Sequence, residues 1–225
     1  MTASPPRRAI VFLIDVDNTL LDNDAVVADL KSVLTRIIGA ERQQRYWAIF
    51  EAVRSELGYA DYLGALQRYR IEHPQEQHLM AISSFLLNYS FAKRLFPGVL
   101  DLISQLDRIG PTVILTDGDV VFQPLKIERS GLGRAVSERI LLYIHKEREL
   151  VDVERRYPAE RYVLIDDKVR ILADVKAAWG SRVTTVFPRQ GHYAVDANVS
   201  SYPAPDITVE RIGDLLAFDA TRWST

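Results

Sequence analysis

The sequence predicts an α/β protein in which a parallel β-sheet is flanked by helices and a helical segment is inserted after the first strand. Two observations support this prediction. Short, continuous apolar runs alternate with segments of helical periodicity, a pattern typical of strands that are buried on both faces and joined by helices. Residues 22–95 interrupt the alternation, because this region has helical periods but no convincing strand.

The predicted strands follow one another along the chain with helices between them. The first is "AIVFLID" at residues 9–15. Later runs of the same kind occupy residues 112–117, 139–146, 161–167 and 182–188, and "ITVERIGDLLAF" resembles a last short strand followed by a helix. Such an order predicts right-handed crossovers between neighbouring parallel strands.

The composition of the chain argues against several classes of protein. The chain has 225 residues, 48% of them hydrophobic and 26% charged, which is ordinary for a globular protein. A net charge of -2 provides no basic field for nucleic acid or for an anionic membrane. The absence of cysteine excludes disulfides and thiolate metal sites. We therefore expect a cytoplasmic monomer or homodimer that binds neither nucleic acid nor membrane.

Polar side chains follow four of the predicted strands at the point where each strand ends. Because the carboxyl ends of parallel strands meet at one edge of a sheet, we expect these side chains to converge on one crevice. The alternative is that they are ordinary loop and helix-cap residues. The residues concerned are Asp15, Asp17, Thr116, Asp117, Lys146, Asp166 and Asp167.

Several carboxylates facing one another repel unless a cation lies among them. Oxygen ligands without histidine or cysteine favour Mg²⁺. A Mg²⁺ site with a lysine and a hydroxyl beside it suits a phosphoryl group, and a carboxylate held there can act as the nucleophile.

Four stretches carry a resemblance to a known family. "DVDNTL" (15–20), "LTDGD" (115–119), Lys146 and "IDDK" (165–168) resemble the ordered motifs of the haloacid dehalogenase-like (HAD) hydrolase superfamily. The resemblance implies a Rossmann-like catalytic core formed by residues 1–21 and 96–225. It also implies that residues 22–95 are an α-helical cap domain, as in the helical-cap subclass, and we expect this cap to close over the crevice.

The resemblance also implies a role for each motif residue. Asp15 would attack phosphorus, and Asp17 would protonate the leaving group and then activate water. Thr116, Asp117 and Lys146 would bind the phosphoryl group. The ligands of Mg²⁺ would be Asp15, the Asp17 carbonyl, Asp166 and Asp167.

Some residues depart from the motifs or lie beside them. Many relatives place an acid or Asn four residues after the last motif Asp, where this chain has Ile171 or Arg170. Asp22 and Asp24 have no role in the pattern, and we interpret them as solvated or helix-capping acids. The "RQGHY" segment (189–193) follows the fifth strand and could contact substrate through Arg189, His192 or Tyr193.

Three lysines lie near motif positions. We expect Lys146 to serve the site, because it ends a strand at the same edge as Asp15. Lys168 follows the metal-binding acids and could pair with one of them. Lys126 follows Pro124 in a predicted helix, and we expect its ammonium to point to solvent.

These residues predict a Mg²⁺-dependent phosphatase that acts on a small phosphorylated metabolite through an aspartyl-phosphate. Three alternatives remain. A dehalogenase would use Asp15 on carbon but needs neither Asp17 nor the metal-binding acids. A phosphomutase shares all four motifs, and a non-catalytic binding protein could use the same scaffold.

Overall fold

A computed structural model describes residues 8–223 and contains a six-stranded sheet in which all neighbouring strands are parallel. The strand order is β3-β2-β1-β4-β5-β6. The strands are β1 (Arg8–Ile14), β2 (Thr112–Asp117), β3 (Ile140–Tyr143), β4 (Ala159–Ile165), β5 (Val183–Pro188) and β6 (Ile207–Val209). The predicted Rossmann-like α/β fold is confirmed. The chain builds outward from β1 in one direction and then from β4 in the other, so the order reverses between these two strands, where open α/β sheets bind ligands.

The apolar run of β1 is explained by burial on both faces of the sheet. Phe12 and Ile14 pack into one hydrophobic cluster, whereas Val11 and Leu13 pack into a second cluster on the opposite face. Successive side chains of a strand point to opposite faces, so a central strand between two helical layers needs an apolar residue at every position.

Helices cover both faces of the sheet. After the insertion they are α5 (Val99–Asp107), α6 (Phe122–Ser130), α7 (Leu132–Ala135), α8 (Leu150–Arg156) and α9 (Val169–Trp179). One predicted strand is shorter than expected, because residues 144–146 leave the sheet after Tyr143 and Lys146 begins a short 3-10 helix, Lys146–Arg148. β3 is one of the two edge strands and is paired only with β2, so fewer hydrogen bonds extend it.

The region between β1 and α5 contains α1 (Asn23–Ile38), α2 (Ala40–Leu57), α3 (Tyr62–Glu72), α4 (Leu79–Leu87) and a 3-10 turn (Phe91–Arg94). Its two ends run side by side: Asp22 N–H donates to Arg94 O at 2.7 Å and Phe96 N–H donates to Leu20 O at 3.0 Å. The helices therefore form an insertion that leaves and re-enters the core at one place. That this insertion is a separate, movable cap domain stays a prediction.

The insertion packs on helix α6 of the core. The ring centroids of Tyr62 in α3 and Phe122 in α6 are 5.2 Å apart, and Phe91 meets Phe122 at 5.6 Å. All three rings are buried. Within the part of the chain that the structure describes, no helix is both long and apolar enough to cross a lipid bilayer.

Candidate active site

A cavity of about 830 Å³ lies between the carboxyl ends of the strands and helices α1 to α3 of the insertion. Asp17 and Asp117 line it from the sheet, and Trp47 and Arg54 line it from helix α2. This volume is within the range of small-molecule sites. Asp17 and Asp117 therefore face a cavity that the helical insertion covers.

Three buried acids meet at the same edge of the sheet as Asp17 and Asp117, although they do not themselves line the cavity. Asp15 directly follows β1, and Asp166 and Asp167 directly follow β4. β1 and β4 are paired with Ile14 opposite Ile165, so the two strands deliver their acids to the same place. One carboxylate oxygen from each of the three lies within 4.8 Å of the others. The predicted convergence of these acids is what the geometry shows.

Lys146 reaches this cluster from the other side of β1. Its side chain is 1% exposed, its Nζ is hydrogen-bonded to Asp15, and it lies 2.7 Å from Asp166 Oδ2. Burial alone would lower the pKa of this ammonium. The charges of Asp15, Asp166 and Asp117 outweigh burial and raise its pKa, so Lys146 is a fixed positive charge beside Asp15.

Asp167 differs from the other two acids because no residue from 8 to 223 forms a salt bridge or hydrogen bond with its carboxylate. Both of its carboxylate oxygens are buried and have no hydrogen-bond partner. Burial and then the charges of Asp15 and Asp166 raise the pKa of Asp167 well above its usual range. Burial also raises the pKa of Asp166, to about 6. Unpartnered hard oxygens in a cluster of acids are the donor set that Mg²⁺ requires, so the site fits a divalent cation held by Asp15, Asp166 and Asp167.

Thr19 joins the two acidic segments. Its Oγ1 donates to Asp15 Oδ2 at 3.3 Å and accepts the backbone N–H of Asp167 at 3.0 Å. The preceding residue, Asn18, has a left-handed backbone (φ 58°), and its Oδ1 accepts the backbone N–H of Asn23 and of Asp24 at the start of α1. The turn after β1 is therefore held by side chains of its own sequence.

Thr116 and Asp117 end β2 beside Asp15. Thr116 is buried, and its Oγ1 accepts a hydrogen bond from Gln123 Nε2 at 3.0 Å. Asp117 Oδ1 accepts the backbone N–H of Lys146 at 2.7 Å, which fixes the start of the segment that carries that lysine. Burial raises the pKa of Asp117. Their role as phosphoryl ligands stays a prediction.

The expectation for Lys126 is wrong. Its side chain does not point to solvent: it is 1% exposed, with Nζ 2.5 Å from Asp17 Oδ1 and 3.1 Å from Asn23 Oδ1. Helix α6 is covered by the insertion, so the face that carries Lys126 is interior. Sequence reasoning also missed Gln123, three residues earlier on the same helix, although the spacing of a donor pair on one helix face was a usable signal.

The acids outside the motifs have structural partners. Asp22 caps α1, because its side chain accepts the backbone N–H of Ala25 at 2.9 Å, as expected. Asp24 is instead bonded to the segment after β5: its Oδ2 accepts the His192 backbone N–H at 2.7 Å, and its Oδ1 lies 2.6 Å from His192 Nδ1. Asp24 thus ties helix α1 to that segment.

Of the three candidate residues in the segment after β5, two line the cavity and one does not. His192 and Tyr193 line the cavity, and the Tyr193 hydroxyl is hydrogen-bonded to Arg54 of helix α2. Arg189 pairs instead with Glu210 at 3.2 Å on the exposed surface. At the position four residues after the last motif acid, Ile171 is buried among apolar residues and Arg170 pairs with Glu147, so neither adds a carboxylate to the cluster.

A parallel sheet with a buried carboxylate at its switch point, and with a lysine and two further acids around it, is an α/β scaffold with a candidate active site at its strand ends. The model of the haloacid dehalogenase-like hydrolase family matches residues 11–178. The chain belongs to this family.

One solved structure supports the same family, and two others share its fold. A protein of Burkholderia xenovorans LB400, described as haloacid dehalogenase-like hydrolase, is 59% identical over 97% of this chain and 99% of its own, with a TM-score of 0.92. A HAD hydrolase of Bacillus subtilis bound to magnesium is 19% identical over 93% of this chain and 97% of its own, with a TM-score of 0.60. The L-2-haloacid dehalogenase of Xanthobacter autotrophicus is 17% identical over 91% and 96%, with a TM-score of 0.59. The last two likenesses establish the fold alone. A comparison with curated proteins found no match.

Proposed function

We propose that this hydrolase is a Mg²⁺-dependent phosphatase, which cleaves the phosphomonoester of a small metabolite through an aspartyl-phosphate on Asp15. One observation carries the proposal: Asp167 presents two buried, unpartnered carboxylate oxygens within the cluster that contains Asp15. A nucleophile beside a cation site is what a phosphoryl dianion requires, because its charge must be neutralised before a carboxylate can approach.

The chain's own residues account for each step. A carboxylate oxygen of Asp15 attacks phosphorus, and the bond from phosphorus to the ester oxygen breaks with its electron pair going to that oxygen. The ester oxygen takes a proton from Asp17. Lys146 lies beside Asp15 throughout and offsets the repulsion between this carboxylate and the phosphoryl oxygens.

Water completes the cycle. Asp17, now a carboxylate, takes a proton from a water molecule as that water attacks phosphorus. The bond from phosphorus to Asp15 breaks, inorganic phosphate leaves, and both acids return to their starting forms. Thr116 and Asp117, at the end of β2, would orient the phosphoryl oxygens during both steps.

The carboxylates of Asp15, Asp166 and Asp167, with the Asp17 carbonyl, would hold the cation. When bound, Mg²⁺ supplies charge neutralisation for the phosphoryl oxygens. The role of Asp17 in this proposal comes from the family motif. The cluster of acids comes from the geometry.

A second candidate is a dehalogenase, in which Asp15 attacks carbon and displaces halide. The fold likeness to L-2-haloacid dehalogenases favours this candidate. That reaction needs neither Asp17 nor a cation, so it does not explain why both oxygens of Asp167 are buried without a partner. We therefore rank the phosphatase first. A phosphomutase would use the same residues but would release a phosphate isomer in place of free phosphate.

The decisive experiment measures phosphate release from 4-nitrophenyl phosphate and halide release from L-2-chloropropionate, each with Mg²⁺ and with excess chelator. We expect phosphate release that requires Mg²⁺ and no halide release. Asp15→Asn should abolish turnover, because the amide keeps the shape of the side chain but removes the nucleophile. Asp22→Asn is the matched control, since asparagine caps a helix as well as aspartate.

Three outcomes would contradict the proposal. Halide release that continues in chelator would identify a dehalogenase. A phosphate isomer without free phosphate would identify a mutase, which a panel of phosphorylated metabolites analysed by ³¹P NMR would reveal. Undiminished phosphatase activity in Asp15→Asn would refute the mechanism.

A further inference from the structure

Two side chains of helix α6, Lys126 and Gln123, contact the carboxylate of Asp17. Lys126 Nζ lies 2.5 Å from Asp17 Oδ1, and Gln123 Nε2 lies 3.5 Å from Asp17 Oδ2 while donating to Thr116 Oγ1 at 3.0 Å. Lys126 also reaches Asn23 Oδ1 at 3.1 Å. Asp17 Oδ1 is therefore held by a buried ammonium, whereas Oδ2 has only a long contact within the described part of the chain.

Stability alone does not explain why an ammonium is buried here. Taking a lysine out of water costs several kcal/mol, and its attraction to one carboxylate often fails to repay that cost. Lys126 is 1% exposed, whereas the Asp17 side chain is 30% exposed and lines the cavity. The pair thus consists of a fixed cation in the interior and a carboxylate that faces the substrate space.

We propose that Lys126 is the positioning residue for Asp17. By holding Oδ1, it leaves Oδ2 as the oxygen that gives its proton to the leaving group. As the ester bond to phosphorus breaks, its electron pair goes to the ester oxygen, which takes the proton from Oδ2, and Lys126 balances the carboxylate charge that remains on Asp17. This inference rests on the proposed phosphatase function.

If Lys126 positions Asp17, removal of the lysine should slow only the proton transfer to the leaving oxygen. Proton transfer requires the donor to lie within hydrogen-bond reach of the leaving oxygen, and a displacement of about 1 Å can cost roughly 10²-fold in rate. The loss should appear only where the leaving group needs a proton. Phenolate is a stronger base than 4-nitrophenolate, so phenyl phosphate depends on proton donation more than 4-nitrophenyl phosphate of nearly the same shape.

The experiment compares kcat/KM for these two substrates in the wild type and in Lys126→Met, which keeps a long side chain but removes the charge. This parameter reports the steps up to release of the phenol, so the later hydrolysis does not enter. We expect a roughly 10²-fold loss for phenyl phosphate and at most a few-fold loss for 4-nitrophenyl phosphate. In an Asp17→Asn background, Lys126→Met should cause no further loss for phenyl phosphate.

Lys176→Met is the control, because it removes another lysine that pairs with an aspartate, Asp206, outside the cavity. It should leave the ratio between the two substrates unchanged. Thermal unfolding shows whether each variant folds. If Lys126→Met does not fold, Lys126→Arg, which keeps the charge but displaces it, is judged by the same ratio.

Equal losses on both substrates, or losses that add to those of Asp17→Asn, would overturn the role of Lys126 while leaving the phosphatase proposal in place. A wild-type enzyme that hydrolyses neither aryl phosphate would overturn the proposed function and this inference together.

Discussion

Glu76, in the helical insertion, and Asp167, at the end of β4, are both carboxylates withdrawn from solvent, but their surroundings are opposite. Glu76 accepts hydrogen bonds from Arg42 at 2.7 Å, from the backbone N–H of His78 at 2.9 Å and from Tyr69 at 3.3 Å, and its Oε1 lies 2.7 Å from the His78 ring. Asp167 has no hydrogen-bond partner on either oxygen.

The pKa values of the two groups shift in opposite directions for this reason. Burial tends to raise both. At Glu76 the hydrogen bonds from His78, Arg42 and Tyr69 outweigh burial and lower the pKa to about 2. At Asp167 the neighbouring acids act with burial and raise the pKa well above its usual range. Burial by itself therefore does not mark a functional acid. An unpartnered buried carboxylate is held at a cost, and it is available to a ligand.

The largest effect on activity is expected at Lys146, the lysine that pairs with Asp15 and Asp166 in the acid cluster. Lys146→Met should lower kcat/KM for an aryl phosphate by about 10²-fold or more, because it removes the charge that lies between Asp15 and the phosphoryl group. Steady-state kinetics in saturating Mg²⁺ measures the loss. Retention of wild-type turnover would show that the lysine only balances the buried acids.

The next effect should appear at Glu76. Glu76→Gln should lower the free energy of unfolding by about 2 kcal/mol, the scale of hydrogen bonds to a charged group, and should leave turnover of an aryl phosphate nearly unchanged. Urea unfolding at pH 7 measures the first quantity. Glu72→Gln is the control in the same insertion, because the Glu72–Arg45 pair is exposed, and its unfolding should be nearly that of the wild type.

The stability lost in Glu76→Gln should also depend on pH, and the direction of that dependence follows from the pKa of Glu76. The pKa of Glu76 is about 2 in the folded state, against an ordinary value of 4.5. Between these values the unfolded chain binds the proton first, so the stabilisation is complete above about pH 4.5 and is lost as the pH falls toward 2. The difference in stability between the wild type and Glu76→Gln should shrink across that window. A difference that stays constant there would mean that the carboxylate charge does not contribute.

The smallest effect is expected at Asp167 and has the opposite sign. In excess chelator, Asp167→Asn should raise the free energy of unfolding slightly, because the amide removes a buried charge that Asp15 and Asp166 oppose. Addition of Mg²⁺ should stabilise the wild type and should stabilise the variant less. Asp174→Asn, at an exposed pair with Arg170, is the control. Destabilisation of Asp167→Asn in chelator would show that the comparison with Glu76 is wrong.

Much of the fold and of the acid cluster follows from the sequence alone. The run from Ala9 to Asp15 predicts a strand buried on both faces, because such a strand is apolar at every position, and residues 8–14 form it. Parallel strands bring their carboxyl ends to one edge, so the acids that follow β1 and β4 lie on that edge, and they meet because these two strands are neighbours. These are consequences of chain direction and of the period of a strand, which a sequence displays.

Only the tertiary structure decided where Lys126 lies. Its helical spacing is compatible with an exposed or an interior position, because a single helix has several faces and a lysine is usually on the outer one. The insertion, distant in sequence, packs Tyr62 on Phe122 and thereby encloses the face of α6 that carries Lys126. The pairing of Asp24 with His192, 168 positions later, was decided in the same way. Contacts of this kind depend on which surfaces of two distant segments pack together. The local periodicity of the sequence does not show which surfaces these are.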